Sequence, residues 1–196
     1  KRIIKPNGAI LMFAQTPFDK VLGSSNLPWL KYEWIWEKTQ ATGHLNAKKM
    51  PMKAHENILV FYDELPTYNP QKTYGHKPIN SYTKYVETQN NTNIYGKMNR
   101  EISGGGETDR YPRSVLKYAS DKQKKKKGEK MHDTQKPIAL IENLIKTYTN
   151  PGQLVLDTFA GNGTVGVACK NLKRDFIMIE KEQYWVDSTI RRINNL

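Results

Sequence analysis

Leu154-Val-Leu-Asp157-Thr-Phe-Ala-Gly161-Asn-Gly163-Thr164-Val-Gly-Val-Ala-Cys169 is the stretch that decides how this chain is read. A short apolar run ends at an acid, turns through two glycines and opens into a helical pattern: a strand, a tight loop and a helix N-terminus. Glycine permits close backbone approaches that a Cβ would block, and a helix start offers unpaired N–H groups. A nucleotide-like cofactor is cradled in this way, although a short Gly-x-Gly also serves as a purely structural turn. The flanks favour the cofactor. Residues 174–180 read as a second strand ending in an acid, Glu180, 23 residues after Asp157, where it is placed to bind ribose hydroxyls. Upstream, His132-Asp-Thr134-Gln135-Lys136-Pro137 leads into a helix whose Ile138, Ile141, Ile145 and Tyr148 recur at helical spacing.

A chain of 196 residues can hold one α/β domain with its own core plus an inserted segment. Apolar residues make up 37%, with four Trp and eleven Tyr, which excludes a disordered chain. The single cysteine excludes an internal disulfide framework and a cysteine-rich zinc site, and no metal is expected. Cys169 falls in the helix after the glycine loop and reads as a buried small hydrophobe. No stretch reaches transmembrane length and no secretory pattern is visible, so the default expectation is a cytoplasmic protein. The net charge of +12 is unevenly spread: +5 over residues 1–61, +6 over 62–131 and +1 over 132–196. A polyanion on the basic part and a small cofactor on the neutral part would produce that split; so would solvated lysine-rich faces.

Taken in order, residues 1–5 read as the end of a helix closed by the turn Pro6-Asn7-Gly8. Residues 9–14 form a continuous apolar run, the pattern of a strand buried on both faces in a parallel sheet. A short helix is expected from Pro17 to about Leu22, capped by Thr16. Residues 30–38 alternate as a strand with Tyr32, Trp34 and Trp36 on one face, as a core does. Residues 55–61 are a further strand, with His55 and Glu56 at its start expected as a hydrogen-bonded structural pair. From residue 62 to 130 periodicity fades into a polar stretch punctuated by Pro66, Pro70, Pro78 and Gly104-Gly-Gly106. Tyr74, Tyr82, Tyr85, Tyr95, Tyr111 and Tyr118 there interleave with Lys and Arg, which suits nucleic-acid contact or packing among themselves. Lys124, Lys125, Lys126 and Lys127 form a charge run that reads as phosphate contact or as a solvated hinge.

The order His-x-Thr-Gln-Lys-Pro, helix, Asp-x-Phe-x-Gly-x-Gly-Thr, strand, Glu resembles the C-terminal half of the beta-group DNA amino-methyltransferases. These methylate adenine N6 or cytosine N4 with S-adenosylmethionine. The resemblance is strong over residues 130–196 and looser over 1–61. It implies an S-adenosylmethionine-dependent α/β sheet of Rossmann-like type, incomplete here and carrying an irregular basic insert. It divides the chain into 1–61 beside the target-base pocket, 62–131 as target-recognition insert and 132–196 as cofactor-binding subdomain. By the same resemblance Asp157, Phe159, Gly161 and Gly163 hold the amino-acid end of the cofactor, His132, Thr134, Gln135 and Lys136 surround its methionine moiety, and Glu180 meets the ribose. The Trp-x-Lys ending resembles an element at the rim of the base pocket, so Trp36 and Lys38 are expected to contact flipped double-stranded DNA.

The departures at Asn162 and Val165 leave the glycine geometry untouched. The family's catalytic signature is another matter: Asp, Asn or Ser, then Pro-Pro, then an aromatic. It has no counterpart, for there is no Pro-Pro in the chain and Asn69-Pro70-Gln-Lys is no substitute. The resemblance puts it ahead of residue 1. The expectation is a fragment without catalytic residues, inactive by itself. It also lacks a central strand, leaving open edges and apolar surface to associate with an N-terminal segment, a second chain or itself. Adenine is taken ahead of cytosine as the target. Two other readings stay open: a nicotinamide-dependent oxidoreductase using the same loop, and a non-catalytic DNA-binding remnant. For the former, the third glycine falls at Gly166, but an acid at the strand end suits an amino-acid-bearing cofactor better than a pyrophosphate.

Overall fold

A computed structural model describes residues 2–86, 100–121 and 135–195. It forms two compact units, Lys1–Asn69 with Arg113–Leu196, and Pro70–Pro112. In the first, strands β1 (Ile10–Ala14), β2 (Leu30–Thr42), β3 (Lys53–Phe61) and β6 (Val115–Tyr118) make a sheet in the order β1-β3-β2-β6. Helix α1 (Phe18–Ser24) follows β1. The central strand β3 is antiparallel to both neighbours, while β6 joins β2 in parallel.

The run Ile58-Leu59-Val60-Phe61 is buried on both faces because helices or loops cover each side. Ile58 and Val60 pack with Trp34, Trp36, Leu140, Leu144 and Tyr148, and Leu59 and Phe61 with Trp29 on the opposite side. Each such side chain contributes about 1.5–3 kcal/mol by leaving water.

Helix α2 (Ile138–Tyr148) joins the parts of this unit. Its Leu140, Leu144 and Tyr148 line the four-stranded sheet, whereas Ile141 and Ile145 pack on Ala168 and Cys169 of helix α3 (Thr164–Asn171). At its N-terminus, Asp121 Oδ2 accepts the Ile138 N–H at 2.9 Å, a carboxylate against the positive end of the helix dipole. At its C-terminus, the Asn69 side chain donates to the carbonyls of Lys146 and Thr149. Strands β7 (Leu154–Asp157) and β8 (Asp175–Met178) pair in parallel around α3, and helix α4 (Gln183–Asn194) follows. Gly166 lets α3 lie close: a Cβ there would meet Met178 and Ile193 within 2.7 Å. Val155 and Phe176 face α2 and α3, while Leu154, Leu156 and Ile177 on the other face are exposed. Among the described residues, β1 pairs only with β3 and β7 only with β8.

The second unit holds the antiparallel pair β4 (Tyr82–Val86) and β5 (Arg100–Gly104). A bridge between Thr73 and Arg110 extends the same pairing outward. Arg110 ties it together, its guanidinium donating to the carbonyls of Lys77, Glu107 and Asp109.

Several local expectations change. Residues 2–5 are not helical; the turn closes instead through Gly8 N–H to the Lys5 carbonyl at 2.9 Å. The apolar run at 9–14 is a strand, but it lies antiparallel to β3 and leaves Met12 40% exposed. Thr16 does not cap α1; its hydroxyl reaches the buried Asp19 carboxylate, which also takes the Asn57 side-chain amide at 2.8 Å. His55 and Glu56 are not a pair, because strand alternation sends His55 to solvent and Glu56 inward. The stretch expected as one insert from 62 to 131 contributes Val115–Tyr118 to the main sheet, so its separate unit is only Pro70–Pro112.

Candidate functional site

The site is built at the C-terminal ends of the parallel pair β7–β8, where such sheets open toward ligands. Asp157 ends β7, and its Oδ1 accepts the Phe159 N–H at 3.0 Å. Backbone bonds from Ile179 N–H to the Asp157 carbonyl and from Ala160 N–H to the Ile179 carbonyl fix the loop over both strand ends. Gly161 and Gly163 take φ of +54° and +75°, the left-handed region open to glycine. Glu180 lies two residues past β8. Its Oε2 accepts the Gly161 N–H at 2.7 Å, and its Oε1 the N–H groups of Lys181 and Glu182 at 2.8 and 3.0 Å. The Phe159 ring, 89% exposed, stands beside the loop.

A second layer supports it from below. Asn162 donates its amide to Gln135 Oε1 and receives the Thr164 hydroxyl. From α4, Arg192 donates to the Asn162 carbonyl at 3.1 Å and Thr189 to the Gly161 carbonyl at 3.2 Å. The structure therefore brings Gln135, Asp157, Phe159, Gly161, Gly163 and Glu180 together, with Lys136 adjoining. His132 and Thr134, like Lys124, Lys125, Lys126 and Lys127, lie outside the described residues.

The electrostatics are lopsided. Burial pushes the Asp157 carboxyl above its ordinary value; the Phe159 N–H opposes this, and the neighbouring Glu180 charge pushes it further up. Two carboxylates thus face one loop, and Asp157 receives from the loop one N–H bond.

On the other side of α2, Trp36 is 3% exposed and its Nε1 donates to the Tyr118 carbonyl at 3.0 Å. Lys38 Nζ sits 2.7 Å from Glu56 Oε1, and Lys136 Nζ 2.8 Å from Glu56 Oε2. Burial would raise the Glu56 carboxyl, but the two lysines outweigh it and hold the carboxyl below its ordinary value. The aromatic stripe is therefore core at Trp34 and Trp36 and open only at Tyr32. Sequence reasoning missed Arg192 and Thr189, whose positions on α4 carry no motif. It also missed the inward turn of Glu56, which the strand period does encode once Ile58 and Val60 are assigned to the core.

A glycine loop between parallel strands, with acids at both strand ends, defines the α/β proteins that bind nucleotide-containing cofactors. The DNA methylase family model, N6_N4_Mtase, matches residues 1–191, and the chain belongs to that family. Over 99% of this chain and 56% of the relative, it is 29% identical to Type II methyltransferase M.HpaI of Haemophilus parainfluenzae. It is 27% identical to Type II methyltransferase M.HinfI of Haemophilus influenzae, over 100% of this chain and 49% of the relative. The chain spans about half the length of these curated relatives. The crystal structure of the M1.HpyAVI–SAM complex shares its fold, with a TM-score of 0.64 and 24% identity over 98% of this chain and 77% of that one.

Proposed function

We propose that this chain is the cofactor-binding and target-recognition part of a DNA methyltransferase that transfers a methyl group from S-adenosylmethionine to an exocyclic amine. The amine is N6 of adenine or N4 of cytosine in a base flipped from the duplex. The observation that carries the proposal is the pair of carboxylates, Asp157 and Glu180, converging on one glycine loop, where each charge disfavours the other. A ligand whose amino-acid end presents an ammonium beside a sulfonium relieves that repulsion, whereas a pyrophosphate adds to it, which disfavours a nicotinamide dinucleotide. Asp157 and the Phe159–Gly163 loop would hold the amino-acid end, Gln135 and Lys136 its methionine part, and Glu180 the ribose. Bound there, the cofactor supplies an electrophilic methyl; the protein supplies position and a fixed field.

The family and the basic charge of residues 1–131 support double-stranded DNA as the partner. Lys124, Lys125, Lys126 and Lys127 are proposed as phosphate contacts. Within Pro70–Pro112, Lys72 is locked to Asp109 at 2.7 Å and lies over Tyr111, so it and Arg110 act as struts. Tyr74 and Tyr82 are exposed for contact. Trp36 and Lys38 are assigned to support, since DNA contact would require Trp36 to leave the core and Glu56 to release Lys38. The edges of β1 and β7 left open among the described residues and the exposed Leu154, Leu156 and Ile177 favour a further strand and covering segment, from the same protein or a partner chain. No helix among the described residues is long and apolar enough to cross a membrane.

The test is a calorimetric titration of the chain with S-adenosylmethionine, alongside Asp157→Ala and NAD. Saturable binding of S-adenosylmethionine that the variant loses is the expected outcome. Binding of NAD in its place refutes the proposal.

A further inference from the structure

We infer that Glu56, about a hundred residues before the glycine loop in sequence, is a positioning residue for the cofactor site, acting through Lys136 and Gln135. The inference rests on the cofactor reading above. Glu56 shares its face of β3 with Ile58 and Val60, lies opposite Trp36 in register, and is 8% exposed. A carboxylate so deep in an apolar face persists only where counter-charges meet it. Lys38, a diagonal neighbour on β2, already supplies one at 2.7 Å. The second, Lys136 at 2.8 Å, comes from an irregular segment with no strand or helix ladder of its own. Its ammonium lies against the rings of Phe13 and Trp36, 5.2 and 5.9 Å from their centroids, a place it would leave for water without Glu56.

What Lys136 holds in turn matters to the loop. Pro137, fully buried, anchors the C-terminal side of the segment at the start of α2. On the N-terminal side, Gln135 accepts the Asn162 amide from between the two glycines. The connection Glu56, Lys136, Gln135, Asn162 is thus continuous from the four-stranded sheet to the cofactor loop. Releasing Lys136 frees the backbone that aims Gln135, and the Asn162 amide loses the Gln135 acceptor. Glu56 need touch no ligand for its loss to be felt there.

The experiment measures S-adenosylmethionine affinity by calorimetry and urea midpoint without ligand, for the wild-type chain, Glu56→Gln, Glu56→Asp and Tyr148→Phe. Tyr148→Phe weakens the same core without touching the connection and serves as the stability control. Glu56→Gln is expected to raise the Kd about tenfold, Glu56→Asp to recover part of that, and Tyr148→Phe to lower the midpoint at unchanged Kd. Three results overturn the inference: a folded Glu56→Gln with wild-type Kd, an equal loss of affinity in Tyr148→Phe, or failure of both Glu56 variants to fold, which marks a purely structural role. A wild-type chain that does not bind at all removes the cofactor reading itself, and this inference with it.

Discussion

Replacing Gly163 by alanine strains the glycine loop in two separable ways. The residue holds φ at +75°, and a Cβ there would stand 2.4 Å from Thr189 Cγ2, 2.8 Å from its Oγ1 and 3.0 Å from its Cβ. An L-residue in the left-handed region costs about 1–2 kcal/mol. Forcing a methyl against buried Thr189 costs about 1–3 kcal/mol more, for a total of about 2–5 kcal/mol. With a urea slope of about 2 kcal/mol per molar, the midpoint falls by about 1–2.5 M. Thr189→Ala removes the two nearest clashing atoms but also the bond to the Gly161 carbonyl at 3.2 Å, itself worth about 1 kcal/mol. The double variant should therefore be more stable than the sum of the singles predicts, by about 1 kcal/mol or more. Urea denaturation followed by circular dichroism on the four chains completes the cycle. A Gly163→Ala midpoint within error of wild type, or strict additivity, would show that α4 does not press on the loop as described.

Tyr148→Phe leaves the Trp34 Nε1–H, now 2.7 Å from the Tyr148 hydroxyl, without that acceptor in the core, and should cost about 1–3 kcal/mol in the same assay. Burial pushes the Cys169 thiol up to about 12, so a thiol reagent at neutral pH should label it only after urea unfolding; rapid labelling of the folded chain would contradict the packing of α3 on α2. Asp157, raised by burial, holds its proton in the fold above the pH at which the unfolded chain loses it. The unliganded protein should then lose stability as pH rises from 3.8 through the raised value. Asp157→Asn should flatten that fall and be the more stable chain at neutral pH while failing to bind S-adenosylmethionine; parallel urea midpoints against pH check the sign.

The glycine-loop end of the chain was legible because its signals are local. An apolar run, an acid, two glycines and a helical period follow one another within a few residues, and the loop, α2, α3 and the acid after β8 lie where that order puts them. What the sequence hid depends on distant partners. Residues 9–14 are apolar enough for a doubly buried parallel strand, yet whether Met12 is covered depends on what lies above it. Thr16 fits a helix cap by type, but its hydroxyl is drawn to the Asp19 carboxylate, which Asn57 holds in place from β3. Val115–Tyr118 is too short for periodicity to announce, and it becomes a strand only because β2 offers an edge. Trp36 next to Lys38 reads equally as a rim or as a core, and Glu56 decides between them by drawing the lysine inward.

The order β1-β3-β2-β6 gives the middle of the chain a particular freedom. The polypeptide leaves the sheet at Phe61, opposite Leu30, and returns at Val115, opposite Ile35, on the two sides of β2. Those points are about 20 Å apart by strand spacing and rise, a gap that about six extended residues could span. Residues 62–114 far exceed that need, so closure does not dictate their length, and doubling such a loop costs only about 0.6 kcal/mol in entropy. The two ends behave as a socket: the segment between them can be exchanged or lengthened without rebuilding the sheet that carries it.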